Sequence, residues 1–543
     1  MHRSFSWSYR SASVSRFGQT VCALILLSLC WGCSPDRYKA QADEEVYKII
    51  DNKWDPNFGQ RVNYTIQDVP AGPNDVPTSG AVYSGVLSLS DAVSLATANN
   101  REYQRQKEQL YLTALDLTLA RHRFARRWFA TVDAGYARDE ADETVDAGGE
   151  LGFNQTLAGG AQIATSIALD WTRFLTGDPS ASLGSVLGAT VTQPLLRGAG
   201  REIAQENLTQ AERNVLYQIR SFNRYRQSFV VSIVDDYYRV LQQRDSVTNA
   251  RNSYESKVEL RKRLEMEAGE GRTARYQVDQ AEQSELNAKD SLLRAQQTYE
   301  QRLDEFKIRL ALPTDADVVL DQNELKSLEE AGITQPAYTL ADALGAAFAR
   351  RLDLANSIDS VDDAQRKVMV AADNLGAELN LVASAGADSG GGTEFNRIEF
   401  HRGDYGLGIE ADLPLDRKAE RNAYREAMIS LDQQRREYEN DLDTVKLEVR
   451  QAYRKLQEEA ESYVTQRKSL DLAQQRVAVS PLLWEAGRAN TRDLLESQDA
   501  LLLAQNSLTA ALVDHTIAKL NFFRDIGVLQ VRPDGMWEEN THD

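Results

Sequence analysis

Apolar residues recur every seven positions through two very long stretches of the chain: Ile233, Val240, Val247 and Tyr254 in the first, and Leu456, Tyr463, Leu470, Val477 and Trp484 in the second. That period keeps one seam of a helix against a neighbour, so each stretch predicts a coiled-coil helix of roughly 70 residues, about 105 Å long. Both runs stop at the same signal. "EMEAGEGRTARYQ", from Glu265 to Gln277, and "WEAGRANTRDLLESQ", from Trp484 to Gln498, each hold Glu-Ala-Gly before an Arg-rich restart. Glycine supplies the left-handed conformation that ends a helix and reverses it, which makes Gly269, Gly271 and Gly487 the candidate tip turns. A further helix of roughly 40 residues follows each turn, and another of that length opens each half of the chain. Two such helices end to end would lie beside one long one.

The opening helices are themselves a pair. "LSLSDAVSLA" matches "YTLADALGAA", with Ser88 or Ser90 placed to cap and Asp91 in the first turn. Each leads into strand-like alternation. "WFATVDAGYA" sets Val132, Ala134 and Tyr136 on one face and Thr131, Asp133 and Gly135 on the other, and "GATVTQP" continues the pattern. In the second half, "ELNLVASAG" sets Leu379, Leu381 and Ala383 against Asn380 and Ser384, and "YGLGIEADLP" sets Tyr405, Leu407 and Ile409 against Glu410 and Asp412. Both halves leave their strands through one hinge, "PLLRGAGR" from Pro194 and "PLDRKAER" from Pro414, which align Pro194 with Pro414 and Arg197 with Arg417. The offset between copies falls from 251 at Leu89 and Leu340 to 220 at Pro194 and Pro414, placing an excess of 31 residues between the strands of the first copy. There the segment from Glu150 to Ser185 reads as an additional hairpin and loop.

The expected organisation is therefore a signal peptide over 1–32, an irregular arm over 33–86, a first repeat over 87–312, an equatorial linker over 313–337, a second repeat over 338–527 and a tail over 528–543. In the first repeat the strands fall at about 128–195 and the helical hairpin at about 199–312, with its tip near 269–271. In the second they fall at about 378–414 and about 416–527, with the tip near 486–487. The amino end carries Arg3, Arg10 and Arg16 ahead of "VCALILLSLCW", an apolar run too short to span a membrane as a helix and of the kind that marks export. It closes on Gly32-Cys33, which resembles a bacterial lipoprotein cleavage site and makes Cys33 the candidate acylated residue. Cys30 and Trp31 depart from that site's usual pattern, and a plain signal-peptidase cut is the alternative.

Charge and chemistry narrow the function by exclusion. A formal net charge of −19 disfavours a nucleic-acid partner, which needs a basic surface. The five histidines, His2, His122, His401, His515 and His542, have no metal-ligand spacing, and all three cysteines lie at or before position 33. "SGGGTEF", Ser389 to Phe395, lacks the Lys-Ser/Thr ending of a phosphate loop and reads as a strand connection. No enzyme activity, cofactor or metal is expected, so energy for any transport would come from a partner.

The ordered set "LSLSDAVSLA", "YTLADALGAA", "TQPLLRGAG", "PLDRKAERNAYREA" and "EAGRANTRDLLESQDALLLAQ", duplicated behind an export signal, resembles the TolC-type outer-membrane efflux protein family from Leu87 to Val528. The fold class this implies is mainly α with a β-barrel portion: a helix-strand-strand-helix-helix repeat building a trimeric α-barrel and a shared twelve-stranded outer-membrane barrel. Independently, four amphipathic strands cannot close a barrel alone and an open edge is not tolerated in lipid, so the chain must associate. On that reading Val132, Tyr136, Leu381, Leu407 and Ile409 face lipid, while Thr131, Asp133, Asn380, Glu410 and Asp412 face the barrel lumen.

The resemblance further implies a homotrimer in outer-membrane lipid, working with a periplasmic adaptor and an inner-membrane transporter as the passive exit duct for small molecules. A type I duct for polypeptides is the alternative, and a periplasmic adaptor or structural coiled-coil lipoprotein is a third reading. Asp493 and Glu496, three apart on one helix face, match positions that in the family ring a closed periplasmic gate, with Arg488 and Arg492 at hand as counter-charges. The first copy has Gln277 and Gln280 there, which would make the second hairpin the mobile one.

Overall fold

The computed structural model describes residues 34–61, 64–66, 85–138, 143–175, 181–334, 336–390, 395–413, 415–532 and 536–539. Residues 1–33, hence the export signal and Cys33, lie outside them, as does Pro414. In chain order the helices are α1 (Pro35–Lys53), α2 (Leu89–Asn99), α3 (Arg101–His122), α4 (Arg201–Ala204), α5 (Glu206–Gly269), α6 (Arg275–Arg309), α7 (Asn323–Ala331), α8 (Leu340–Arg350), α9 (Leu352–Asp373), α10 (Lys418–Glu485) and α11 (Thr491–Asp525). The strands are β1 (Gly85–Leu87), β2 (Arg127–Arg138), β3 (Glu143–Thr156), β4 (Gln162–Phe174), β5 (Ala181–Pro194), β6 (Val318–Leu320), β7 (Glu378–Asp388), β8 (Asp404–Asp412), β9 (Leu529–Val531) and β10 (Trp537–Glu539).

The two long helices, α5 with 64 residues and α10 with 68, set the length of the helical part at about 100 Å. They stand as columns in a wall four columns wide. One outer column is α3 stacked on α6; next comes α5; then α9 stacked on α11; and α10 forms the other outer column. The short helices do meet end to end. Asn100 Nδ2 donates to the Arg309 carbonyl at 2.8 Å where α6 ends and α3 begins. At the other joint Gly527, with φ +76°, comes so close that an added Cβ would lie 3.1 Å from the Arg350 carbonyl carbon.

The opening helix of each repeat is broken once, against the expectation of one continuous helix. α2 gives way to α3 at Asn100, whose extended backbone lets its side chain accept the Tyr103 N–H at 3.0 Å. α8 gives way to α9 at Arg351, also extended, 6% exposed and tied to Asp353 and Glu448. Ser88 caps α2 by accepting the Asp91 N–H, and Thr339 caps α8 by accepting that of Asp342, so the repeated starts share one mechanism.

The core lies at the waist of the wall. Leu110, Leu117, Ile219, Phe222, Ile233, Tyr237, Phe306 and Phe522 are fully buried there. Around it, β1 pairs in parallel with β6, and β9 pairs antiparallel with β10. Residues 34–61 are not the irregular arm expected from their composition. α1 carries Val46, Ile49 and Ile50 at helical spacing, and all three are buried. It packs on α3 and α5, where Tyr111 donates to Asp43 at 2.7 Å and Lys53 meets Glu212 at 3.1 Å.

Beyond the wall, one six-stranded antiparallel sheet runs in the order β2-β3-β4-β5-β7-β8. This corrects the expectation of four strands per chain. The additional hairpin is β3–β4, spanning Glu143–Phe174, and it pairs along its full length between β2 and β5. Ala181 to Ser185, the end of the segment read as an additional hairpin and loop, are the start of β5. Of "SGGGTEF", which lies in sequence between β7 and β8, residues 391–394 fall outside the described residues; Ser185 Oγ donates to the Phe395 carbonyl at 2.6 Å.

Candidate functional site

The sheet sorts its side chains into two chemically distinct faces. Directly opposed residues of antiparallel neighbours share a face, so the faces can be traced strand by strand. Trp128 opposes Phe153, Ala130 opposes Leu151, Leu151 opposes Ile167, Ile167 opposes Leu187, Leu187 opposes Ala387, and Leu381 opposes Ile409. This face is apolar and open to the surroundings: Val132 is 79% exposed and Leu407 77%. Aromatic groups bound it at both ends, with Trp128 and Phe153 5.0 Å apart near the helices and Tyr136 and Tyr405 at the far end. Eight residues of strand separate Trp128 from Tyr136, about 20 Å of height at a barrel tilt of ~40°, close to the apolar band of outer-membrane barrels.

The opposite face is polar and acidic. All five residues assigned to a lumen, Thr131, Asp133, Asn380, Glu410 and Asp412, lie on it. Pairing adds three acids that the four-strand reading missed: Asp146, Glu150 and Asp170, all on β3 and β4. The period-two pattern of those strands is as regular as elsewhere; among their glycines Gly149 dilutes the apolar face, while Gly148 and Gly152 lie on the polar one. Gly148 makes room for a carboxylate, since a Cβ there would sit 2.8 Å from Asp133 Oδ1.

The two hinges differ despite their shared letters. After Pro194 the chain turns through Gly198 and Gly200, both with positive φ, passes through α4 and only then enters α5. The backbone N–H of Gly198 donates to Asp373 Oδ2 at 2.7 Å, fastening the turn to the end of α9. In the second copy α10 starts directly after Arg417, which donates from its guanidinium to the Leu375 carbonyl. Among the described residues the Arg197 side chain meets no hydrogen-bond or ion-pair partner, so the matched arginines do not play matched parts.

At the far end of the wall both tips close with the same backbone device. Gly271 (φ +73°) and Gly487 (φ +68°) are left-handed. Arg272 N–H reaches the Glu267 carbonyl at 2.9 Å and Gly271 N–H that of Ala268 at 3.1 Å; Arg488 and Gly487 bond in the same way to Leu483 and Trp484. These are paired six-to-one and five-to-two helix closures. Gly269 is the last residue of α5 and not a turn residue, which corrects its assignment.

The helices restart differently. α6 has no side-chain cap, whereas α11 opens with a reciprocal capping box: Asn490 accepts the Asp493 N–H at 3.0 Å and Asp493 accepts the Asn490 N–H at 3.0 Å. Asp493 thus has a structural task that Gln277 lacks. Leu494 and Leu495 pack on Leu260, Leu264, Val278 and Ala281 of the first hairpin. At 100° per residue this turns Asp493 and Glu496 half a revolution away from that cluster. Glu496 is exposed, and its counter-charge is Arg476 of α10 at 3.7 Å rather than Arg488 or Arg492. Arg476 carries no local sequence signal, because the contact is between helices.

Among the described residues no cluster of His, Cys, Asp or Glu could hold a metal ion, and no helix is long and apolar enough to cross a membrane. Residues 343–527 match the family model for outer membrane efflux proteins. No curated protein matches the chain. Among solved structures, the chain resembles the Neisseria gonorrhoeae MtrE outer membrane channel in its open state, with TM-score 0.59 and 13% identity over 81% of this chain and 88% of that one. The Campylobacter jejuni CmeC outer membrane channel gives 0.58 and 15% over 84% and 87%. The outer membrane protein VceC of Vibrio cholerae gives 0.57 and 14% over 81% and 96%.

Proposed function

We propose that the protein, whose residues 343–527 match the outer membrane efflux protein family model and which over 81–84% of its length folds like outer-membrane channels, is the passive outer-membrane duct of an efflux system. The observation that carries this reading is the sheet: one exposed apolar face bounded by aromatics, one acidic face, and two unpaired edge strands, β2 and β8. A barrel in lipid must pair every edge, so copies of the chain join in a ring, as a homotrimer. The helical wall continues that ring into the periplasm as a tube. An adaptor and an inner-membrane transporter supply the cargo and the energy, and acylation of Cys33 would anchor the amino end to the membrane.

In this duct the α11 tip forms the narrowest ring. Asp493 and Glu496, three copies of each, place six carboxylates there, and a ring of like charge selects for cations. The test must spare the cap. Asp493→Asn with Glu496→Gln removes the charge and leaves an acceptor at position 493 for Asn490. In planar bilayers this double variant is expected to lose cation preference severalfold. Unchanged conductance and an unchanged potassium-to-chloride permeability ratio would remove both residues from the gate.

A further inference from the structure

We propose that the barrel of this duct is eighteen-stranded, with β3 and β4 in its wall, and therefore wider than the twelve strands expected from four per copy. The inference rests on the trimeric duct reading above and adds to it a pore of different size. Three features of β3–β4 carry it. The hairpin is not a loop laid over the sheet: β3 pairs with β2 from Arg127–Asn154 to Arg138–Glu143, and β4 pairs with β5 from Gln162–Thr192 to Arg173–Ala181. Its alternation is in phase with the other strands, so Leu151, Ile167 and Leu169 extend the apolar face while Glu150, Ser166 and Asp170 extend the acidic one. A hairpin also adds an even number of strands. β2 and β8 therefore remain antiparallel, and β8 of one copy can pair with β2 of the next.

Leaving β3–β4 out of the wall would carry two penalties. Their apolar side chains would be in water, and β2 would have to abandon its ladder with β3 for a new one with β5. With strands 4.8 Å apart and tilted ~40°, twelve strands give a backbone radius of about 12 Å and eighteen give about 18 Å. The helical wall supplies an independent gauge. Four columns per copy make a twelve-column tube, whose axes lie about 19 Å from the centre at ~10 Å spacing. An eighteen-stranded barrel meets that tube without an inward step. The added strands also bring Asp146, Glu150 and Asp170 to the lumen, so the wider mouth stays acidic and favours cationic or neutral cargo over polyanions.

The experiment uses the full chain in two arms. Single cysteines at Glu150, Ser166 and Asp170, and at Leu151, Ile167 and Leu169, are probed in outer membranes with a membrane-impermeant maleimide and with a lipid-borne quencher of an attached fluorophore. Thr131→Cys and Val132→Cys on β2, and Glu410→Cys and Ile409→Cys on β8, serve as references. The expected result is alternation on all four strands: the first three hairpin sites react from water, and the second three are reached only from lipid.

In the second arm, deletion of Glu143–Phe174 is expected to leave a trimer whose largest admitted neutral polymer, added from the barrel side, falls by about 6 Å in radius. If the hairpin sites all react from water while the β2 and β8 sites alternate, the barrel is twelve-stranded and this proposal fails, though the duct stands. Reaction of every site from water, with no trimer, defeats the duct reading itself. A deletion variant that does not assemble is decided by the labelling arm alone.

Discussion

Replacing Leu472 and Val479 together with glutamate is expected to convert the proposed ring of copies into monomers. The two residues lie one heptad apart on α10, the outer column of the wall, at 64% and 48% exposure within a single chain. The opposite outer column carries matching seams, Leu112 and Leu119 on α3 and Leu286 and Leu293 on α6, each more than half exposed. Scattered exposed leucines are ordinary, but seven-residue seams on both free edges of the wall are what a ring of copies would bury. Covering one leucine fully is worth about 1.5–3 kcal/mol, and a carboxylate in its place must be desolvated without a partner. A ring of three repeats that penalty at every interface. Native gels or light scattering in detergent would show monomer in place of trimer. Leu503→Glu, exposed on the inner column α11, should leave assembly intact and serves as control. A double variant that assembles like the parent would move the interface elsewhere.

The second large effect is expected at Asp363, which fastens α9 to α5 under the sheet. Its carboxylate, 4% exposed, accepts hydrogen bonds from Tyr217 at 2.7 Å, Gln210 at 2.9 Å and the Arg213 guanidinium, and pairs with Arg366 at 2.8 Å. Removing one member of a buried ion pair leaves the others desolvated and uncompensated, which costs about 3–5 kcal/mol. Asp363→Ala should lower stability by that order in thermal or urea unfolding of the detergent-held protein. Asp363→Asn, which keeps the shape and part of the hydrogen bonding, should cost less. Equal, small losses in both would show the cluster to be a solvated surface network.

The same group ties stability to pH. Burial alone would raise its pKa, but the bonds from Arg213, Tyr217, Gln210 and Arg366 outweigh burial and hold the carboxyl below its ordinary value. A depressed carboxyl pKa contributes stability that is fully present above the unfolded value near 4 and fades as pH falls through the folded value. The joint between α5 and α9 should therefore loosen at acid pH in the parent, and Asp363→Asn should flatten that dependence.

What could be seen in the letters depended on whether the signal was local. The long helices and their reversals were legible because heptads and glycines are local codes, and both Gly271 and Gly487 hold the left-handed conformation. The capping box of α11 was equally visible in "NTRD", yet Asp493 was read for its charge and not its cap. Breaks at Asn100 and Arg351 escaped because neither proline nor glycine marks them; tertiary contacts to Arg309 and Glu448 hold them. α1 was hidden by averaging over an arm rich in proline and glycine, although Val46, Ile49 and Ile50 have helical spacing. The strand count failed for a different reason. The excess of 31 residues between repeats was located correctly, but a repeat offset cannot tell a loop from a pair of wall strands. Only the ladders from β2 to β3 and from β4 to β5 decide that.

The claim on which the rest depends is that this chain forms a ring in the outer membrane. It is tested by separating inner and outer membranes from cells making the full chain, and running the fractions on detergent gels with and without heating. The expected result is a band in the outer-membrane fraction at three times the mass of the processed chain, which is smaller than the 60.7 kDa precursor by its signal peptide, and this band collapses to the monomer on heating. A chain recovered as soluble periplasmic monomer, with nothing in the outer membrane, would contradict it.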